Sequence, residues 1–180
     1  DTELDRQLIA LVRDPLTHMI RNACGHGIET PEQRRAAGKN ETGHISVRAY
    51  HDAGHIVIDV SDDGRGIDVE AIRVKAVAKG LAREAEVACL SDADVCRYIF
   101  APGFSTAKAV TSLSGRGIGM DVVRENIEAI GGSVGLNTAP GVGTTFMLKI
   151  PLTLAIAPAL IVASAGARFA MPQDGVVEVY

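Results

Sequence analysis

Tryptophan is absent from this sequence, aromatic residues make up only 4% of it, and no apolar run reaches the length of a membrane span. A span requires about 18 or more apolar residues in succession. Because 47% of the 180 residues are still hydrophobic, the chain can bury the core of an ordinary domain, and that core is aliphatic. The formal net charge of −4 gives no indication of a nucleic-acid partner, which would favour a basic face.

The cysteines lack the spacing of a metal site or of a disulfide framework. There are three of them, Cys24, Cys89 and Cys96, and they form neither a CxxC pair nor a paired Cys/His motif. Zinc sites and disulfide-rich folds usually show such patterns. We therefore expect free thiols in the reducing cytoplasm.

The first third of the chain has the apolar pattern of helices followed by a β-hairpin. Residues 5–13 and 15–27 have helical spacing, as two helices or as one kinked helix, with Asp14 as a good N-cap and Pro15 opening the second part. The polar stretch 30–43 fits a short helix and a loop. Alternating residues around the turn HDAG predict a hairpin with one face on the core: Ile45, Val47, Ala49, Ile56, Ile58 and Val60.

The remaining elements are mostly helical until a second hairpin. A helix is expected over 68–80, with Asp68 as N-cap and Gly80 just past its end, and another begins with a cap at Ser91. A long irregular segment, 101–117, precedes the amphipathic stretch MDVVRENIEAIGG, and SVGLNT and TTFMLKI form the hairpin. This order predicts an α+β fold in which helices pack on one face of a mostly antiparallel sheet.

A polar stripe runs along the first helical region. His18, Asn22 and His26 recur every four residues, and at about 100° per residue they border the apolar face that includes Met19 and Ile20. Imidazole and amide groups at such an edge can bind a phosphate oxygen or a metal-bound water. Alternatively, these are polar boundary positions that pair only with backbone or water.

Two glycine-rich stretches add possible ligand-binding turns. In SDDGRGID, Asp62 ends a strand and its carboxylate can accept a hydrogen bond from an exocyclic amine such as that of adenine. In SGRGIGMDVV, alternating glycines precede a helix, where backbone N–H groups can bind an anion. Neither stretch has the Walker A or the Rossmann spacing. Each can also be explained as a plain loop, and GVGTTF as a plain strand entry.

The order of these four motifs resembles the ATP-binding domain of the GHKL superfamily, which includes sensor histidine kinases and gyrase-type topoisomerases. Asn22 lies at the position of the N box, 62–66 matches the G1 box, 100–104 the F box, 115–119 the G2 box, and 143–146 the final GTxF. The stretches DPLTHMIRNACGHGIE and FAPGFSTAKAVTSLSGRGIGMDVVRENIEAIGG resemble the CheA family of chemotaxis histidine kinases. This resemblance implies a two-layer sandwich of helices on a mixed, mostly antiparallel sheet.

The resemblance also implies roles for individual residues. His18, Asn22 and His26 would be catalytic, with Asn22 coordinating a Mg²⁺ that bridges the ATP phosphates. Asp62 would accept the adenine amino group, supported by Thr144. The other implied ATP-binding residues are Arg21, Gly64, Gly66, Ser105, Thr106, Lys108, Gly115, Arg116, Gly117, Gly119 and Met120.

One position departs from the family pattern. The N box usually reads N-A-x-D-H-G, and Gly25 occupies the aspartate position here. Glycine inside a helix costs about 1 kcal/mol relative to alanine, and the change removes a carboxylate from the phosphate edge. Nucleotide binding is still expected, because Asn22, His18 and His26 are present.

The resemblance implies a domain boundary and a set of partners. Residues 1–152 would form the ATP-binding catalytic domain, and 153–180 the first strands of a truncated SH3-like regulatory domain. The phosphoacceptor histidine would lie on a phosphotransfer domain of the same or a partner kinase, with response regulators acting downstream. A complete regulatory domain would bind a coupling protein and chemoreceptors at cytoplasmic receptor arrays. No nucleic acid and no membrane insertion are expected.

Three functions remain open on the sequence alone. The first is an ATP-dependent protein-histidine kinase catalytic domain of the CheA type. The second is a nucleotide-binding or scaffold module without useful kinase activity, which the glycine at position 25 would favour. The third is a topoisomerase- or chaperone-type ATPase, which shares the pocket motifs but not the longer CheA-like stretches.

Overall fold

The computed structural model describes residues 6–104, 119–152, 159–164 and 166–172. In these ranges the α-helices are α1 (Arg6–Asn22), α2 (Pro31–Ala36), α3 (Val69–Ala78), α4 (Glu84–Cys89), α5 (Asp92–Cys96) and α6 (Met120–Glu128). The strands are β1 (Ile45–Asp52), β2 (His55–Asp62), β3 (Ser133–Ala139), β4 (Gly143–Pro151), β5 (Ala159–Ser164) and β6 (Ala167–Pro172). A π-helical turn, Ala23–Gly27, follows α1, and a 3-10 turn, Arg97–Phe100, follows α5.

Four strands form one sheet in the order β1-β2-β4-β3, and β5 pairs with β6 in a separate hairpin. All pairings among the described strands are antiparallel. The register places Asp62, the last residue of β2, opposite Thr144 near the start of β4. The α+β class is therefore confirmed, and two motifs that are far apart in sequence meet at one end of the sheet.

The core lies between this sheet and the helices α1 and α6. Met19, Val123 and Ile127 are fully buried against the inward-facing residues of the central strands. Phe100 and Phe146 meet edge to face, with ring centroids 6.4 Å apart. A second apolar cluster fills the layer formed by α3, α4 and α5, with members Ile72, Ala76, Val87, Val95, Cys96 and Phe104.

The first hairpin forms as predicted, but its two strands differ in burial. Ile56, Ile58 and Val60 of β2 are buried, whereas Val47 of β1 is 50% exposed and Ala49 is also exposed. The prediction that both strands face the core is therefore wrong for most of β1. This strand is the sheet edge, and the helices cover the central strands instead.

Of the two alternatives for this region, the single helix is confirmed, because α1 runs through Pro15 without a break and Pro15 does not open a second helix. Pro15 is fully buried, so packing of this face outweighs the hydrogen bond that its missing N–H removes. The hydroxyl of Thr17 donates to the carbonyl of Arg13 at 2.8 Å. Ile20, expected on the apolar face, is 37% exposed.

Other helix boundaries agree with the sequence signals. Asp68 caps α3 by accepting a hydrogen bond from the backbone of Ala71, and Ser91 caps α5 through Asp94. Gly80 adopts a positive φ of 69° just past α3, which glycine tolerates best. Helix α4 was not anticipated. No helix in the described part of the chain is long and apolar enough to cross a membrane.

Substitutions at two neighbouring positions of β4 test this burial pattern. Leu148 is fully buried and Met147 is 41% exposed. We expect Leu148→Ala to lower the free energy of unfolding by about 2–5 kcal/mol, because it removes packed methyl groups from the core. The control Met147→Ala should lower it by less than about 1 kcal/mol. Equal losses in urea denaturation would contradict the inward face assigned to β4.

Candidate functional site

A cavity of about 340 Å³ lies between the end of α1, the adjoining ends of β2 and β4, and the start of α6. This size falls in the usual range for small-molecule sites. Two larger depressions lie against α3 and its neighbours and contain fewer predicted site residues. The lining residues are Asn22, Ala23, His26, Gly27, Asp62, Gly66, Ile67, Lys75, Ile99, Phe104, Met120, Thr144 and Phe146.

The cavity brings together six of the predicted residues, which are Asn22, His26, Asp62, Gly66, Met120 and Thr144. His18 lies half-buried one helical turn before Asn22, and Arg21 is exposed on the same helix. Gly64 is buried, and Gly119 immediately precedes α6. Ser105, Thr106, Lys108, Gly115, Arg116 and Gly117 lie outside the described residues.

The polar stripe of α1 is interrupted by the π-helical turn. The α-helix ends at Asn22, and the N–H of Ile28 donates to the carbonyl of Ala23 at 2.8 Å, five residues back. Such turns change the angular spacing of side chains and are frequent at functional sites. Asn22, at the end of the α-helix, is half-buried, and His26, within the turn, is exposed, although both line the cavity.

Asn22 connects this turn to the start of α6. Its amide nitrogen lies 3.7 Å from the sulfur of Met120, which is within reach of a weak N–H···S hydrogen bond. The contact uses the nitrogen, so the amide oxygen keeps its capacity to bind a cation. The position of Asn22 is therefore fixed from two elements.

Asp62 presents a half-buried carboxylate at the sheet end. The backbone N–H of Gly64 donates to its Oδ1 at 2.9 Å. Burial raises the pKa of Asp62, and the nearby charges of Asp63 and Glu29 raise it further, while backbone hydrogen bonds from Gly64 and Thr144 oppose the shift. The result is a strong hydrogen-bond acceptor inside the cavity.

Glycines at this end of the sheet let three backbone segments touch. A Cβ on Gly64 would collide with the carbonyl group of Gly27. A Cβ on Gly143, whose φ is +140°, would collide with the carbonyl oxygen of Asp62. The N–H of Arg65 donates to the carbonyl of Gly27 at 2.9 Å. Gly64, in the motif that matches the G1 box, therefore allows two backbone segments to approach each other closely.

Thr138 and Lys75 are two residues at the site that sequence reasoning missed. The hydroxyl of Thr138 accepts from the N–H of Ile67 at 2.9 Å, donates to the carbonyl of Gly143 at 3.1 Å, and lies 3.2 Å from the hydroxyl of Thr144. Lys75 lines the cavity, with Nζ 4.8 Å from the ring centroid of Phe104. Neither residue belongs to a motif, so only their neighbours in space reveal them.

The donor set fits a cation that arrives with a ligand. Among the described residues, no group of three or more His, Cys, Asp and Glu side chains could hold a metal ion. Asn22 offers one neutral amide oxygen at the cavity. Mg²⁺ is usually held by one or two protein ligands, by water and by substrate phosphates. The amide oxygen of Asn22 is compatible with this mode of binding.

His18 has the electrostatics of a neutral imidazole. Burial lowers its pKa, and the positive charge of Arg21 lowers it further, while the carboxylate of Asp121 has the opposite effect. Because the ordinary pKa of histidine is about 6.5, the ring is mostly uncharged at neutral pH. A neutral ring can both donate and accept a hydrogen bond.

Residues 11–154 match the family described as histidine kinase-, DNA gyrase B-, and HSP90-like ATPase. The chain belongs to this family of ATP-binding domains. It is 48% identical over 178 residues to the sensor histidine kinase CheAY of Helicobacter pylori, 44% over 178 residues to the chemotaxis protein CheA of Bacillus subtilis, and 48% over 177 residues to that of Salmonella typhimurium. These matches cover 99%, 99% and 98% of this chain but 22%, 26% and 26% of the relatives. The chain thus spans about a quarter of their length.

The raised pKa of Asp62 gives a testable effect on stability. At pH values above its folded-state pKa the carboxylate is ionised in a site that disfavours the charge, so it lowers stability relative to a neutral group. We expect Asp62→Asn to be more stable than the parent at pH 7 without nucleotide, with the difference vanishing below the unfolded-state pKa of about 3.9. Urea denaturation across this pH range measures it.

The control for this comparison is Asp52→Asn, at the exposed far end of β1. The free energy of unfolding of Asp52→Asn should differ little from that of the parent chain at neutral pH. A less stable Asp62→Asn variant at pH 7 would show instead that the hydrogen bonds accepted by the carboxylate outweigh its desolvation.

Proposed function

We propose that this chain is the catalytic ATP-binding module of a protein-histidine kinase of the chemotaxis type. It would transfer the γ-phosphoryl group of Mg-ATP to a histidine on a separate phosphotransfer domain. The observation that carries the proposal is the convergence of Asn22, Asp62 and Thr144 on one cavity, in a chain that belongs to an ATPase family and is similar to CheA proteins.

Asp62 and Thr144 would recognise the base. An adenine amino group can donate to the carboxylate of Asp62, whereas guanine presents a carbonyl oxygen at that position and would be repelled. The hydroxyls of Thr144 and Thr138 are 3.2 Å apart, so Thr138 would hold Thr144 in place. Ile67, Ile99 and Phe146 line the same cavity and would pack against the purine.

The opposite part of the cavity would hold the phosphates. Asn22 would ligate a Mg²⁺ that reduces the repulsion among phosphate oxygens, and His26 and Lys75, which also line the cavity, would add polar and positively charged groups. We also propose Arg21 as a source of positive charge, together with Gly66, Gly119 and Met120 as backbone contacts. Phosphoryl transfer needs mainly such positioning and charge stabilisation.

His18 would act on the reacting groups. Transfer forms a bond between the γ-phosphorus and a nitrogen of the acceptor imidazole, breaks the bond to the ADP oxygen, and releases the proton on the acceptor's other nitrogen. A half-buried neutral His18 can accept that proton or hydrogen-bond to the transferring group.

The rest of the assembly is proposed from similarity. Residues 1–152 would form the catalytic domain and 153–180 the opening of an SH3-like regulatory domain, to which the β5–β6 hairpin would belong. Its partners would be a phosphotransfer domain, response regulators, a coupling protein and chemoreceptors. The relatives' names as chemotaxis proteins support a bacterial cytoplasmic location at receptor arrays.

Gly25 lacks the carboxylate that this family usually has at its position, and this favours a second candidate, a nucleotide-binding module with little kinase activity. A Cβ at this exposed position would meet nothing within 4 Å, so no packing requires glycine here. The carboxylate expected in this family could therefore be restored by Gly25→Asp. A large gain in transfer rate in that variant would support this second candidate.

Calorimetric titration with Mg-ATP tests nucleotide binding. We expect saturable heat with the parent chain and a loss of at least about tenfold in affinity for Asp62→Asn, because one charged hydrogen bond is removed. Asp52→Asn serves as the matched control and should bind as the parent does. If a folded parent chain gives no heat, the proposal is wrong.

His18→Gln tests the catalytic role. We expect single-turnover transfer to a separate CheA-type phosphotransfer domain to fall by about 10²–10⁴-fold, the usual contribution of acid–base catalysis. Affinity for ATP should change little, because the ring lies outside the set of cavity-lining residues. The exposed His51, substituted as His51→Gln, is the control. Unchanged transfer would exclude His18 from catalysis.

A further inference from the structure

A charged cluster with a buried arginine at its centre lies directly behind the turn that follows Asp62. We call it the Arg34 cluster, and its members are Arg34, Lys39, Glu29 and Asp63. The side chain of Arg34 is only 1% exposed and that of Glu29 only 10%. Two positive and two negative groups balance one another, as a buried charge requires.

Arg34 contacts several separate backbone segments at once. Its guanidinium donates to Glu29 at 3.1 Å, to the carboxylate of Asp63 at 2.9 Å and to the carbonyl of Asp63 at 3.1 Å. Nε donates to the carbonyl of Asn40 at 2.6 Å. This geometry uses the planar, multi-donor character that distinguishes arginine from lysine.

Lys39 completes the cluster from the other side of the turn. Its Nζ donates to Glu29 at 2.9 Å, to the carbonyl of Asp63 at 2.9 Å and to the carbonyl of Gly64 at 2.7 Å. Burial alone would raise the pKa of Glu29, but the hydrogen bond from Lys39 and the charges of Lys39 and Arg34 hold it below its ordinary value. The contacts with Lys39 and Arg34 therefore favour the ionised form of Glu29.

One planar peptide unit connects this cluster to the site. The carbonyl of Asp63, which accepts from both cations, and the N–H of Gly64 belong to the same peptide group. That N–H donates to Oδ1 of Asp62 at 2.9 Å. Since a peptide group is rigid, fixing its oxygen also fixes the direction of its N–H. Hydrogen bonds at one end of such a chain strengthen the bond at the other.

We propose that Lys39 and Arg34 are positioning residues that orient the carboxylate of Asp62 through the Asp63–Gly64 peptide, and thereby set the preference of the site for a 6-aminopurine nucleotide. This inference rests on the proposed function, in which Asp62 accepts the adenine amino group. The alternative is that the cluster only attaches α2 and the following loop to the domain.

The decisive experiment compares two nucleotides that differ in one amino group. Calorimetry measures the affinity of the parent chain and of Lys39→Met for Mg-ATP and for Mg-purine riboside triphosphate, which lacks the 6-amino group. We expect Lys39→Met to weaken ATP binding by about tenfold, the value of one charge-assisted hydrogen bond, and to change binding of the analogue by less than about twofold.

Arg35→Met is the matched control. Arg35 lies beside Arg34 on α2, and its ion pair with Glu41 at 3.2 Å is exposed, with side chains 58% and 60% accessible. The substitution removes the same charge without touching the cluster, and both affinities should stay at the parent values. Equal weakening of both nucleotides in Lys39→Met would reduce the cluster to a structural role and overturn the proposal.

A double-mutant comparison gives a second, independent test. If Lys39 acts through Asp62, Lys39→Met should have no further effect on ATP affinity in an Asp62→Asn background. Additive losses would overturn the proposal. If Lys39→Met does not fold, Lys39→Gln keeps one donor, and we expect about threefold weaker binding of ATP alone. A folded parent that binds neither nucleotide would refute the proposed function itself, whereas a parent that binds both equally would refute only the role of Asp62 in recognising the amino group.

Discussion

The peptide group between Asp63 and Gly64 is the point on which the geometry of the site depends. Its oxygen accepts from Arg34 and Lys39, and its N–H donates to the carboxylate of Asp62. The missing Cβ of Gly64 allows this group to lie against the backbone of Gly27, at the end of the π-helical turn. The turn after β2 therefore fixes the distance between the acceptor at the sheet end and the polar residues of α1. A side chain at position 64 would push the sheet end that carries Asp62 away from the polar residues of α1.

The same elements supply both the core and the site, which explains why the site can be rigid. Met19 of α1 and Val123 of α6 are fully buried, while Asn22 and Met120 on the same helices line the cavity. On the sheet, Ile58 and Leu148 are buried, and Asp62 and Thr144 lie at the ends of the same strands. Side chains on packed helices and strands are held more accurately than side chains on loops. The helices and strands that form the core therefore also hold the side chains of the site in position.

Much of this arrangement was predictable from the sequence, because the motifs at Asn22, Asp62 and Thr144 are local and their order along the chain resembles that of a known family of ATP-binding domains. The exceptions have physical causes. A helical-wheel projection assumes a constant angle per residue, so it does not predict the π-helical turn after Asn22. Pro15 continues α1, since burial outweighs a lost hydrogen bond. The polar stretch PEQRRA does not indicate that Arg34 is buried. Its burial depends on partners that are distant in sequence, such as Asp63. Thr138 and Lys75 likewise act through contacts that no short motif encodes.

The charges near Asp62 explain how a disfavoured carboxylate persists at the end of the sheet. Burial raises the pKa of Asp62, so its ionised form lowers stability, and an uncharged residue would pack with less penalty. The Arg34 cluster does not neutralise Asp62 directly, because its cations are already paired with Glu29 and Asp63. It acts instead on the backbone, by orienting an N–H toward the carboxylate. The carboxylate therefore keeps accepting capacity for a ligand, which a direct ion pair with arginine or lysine would have consumed.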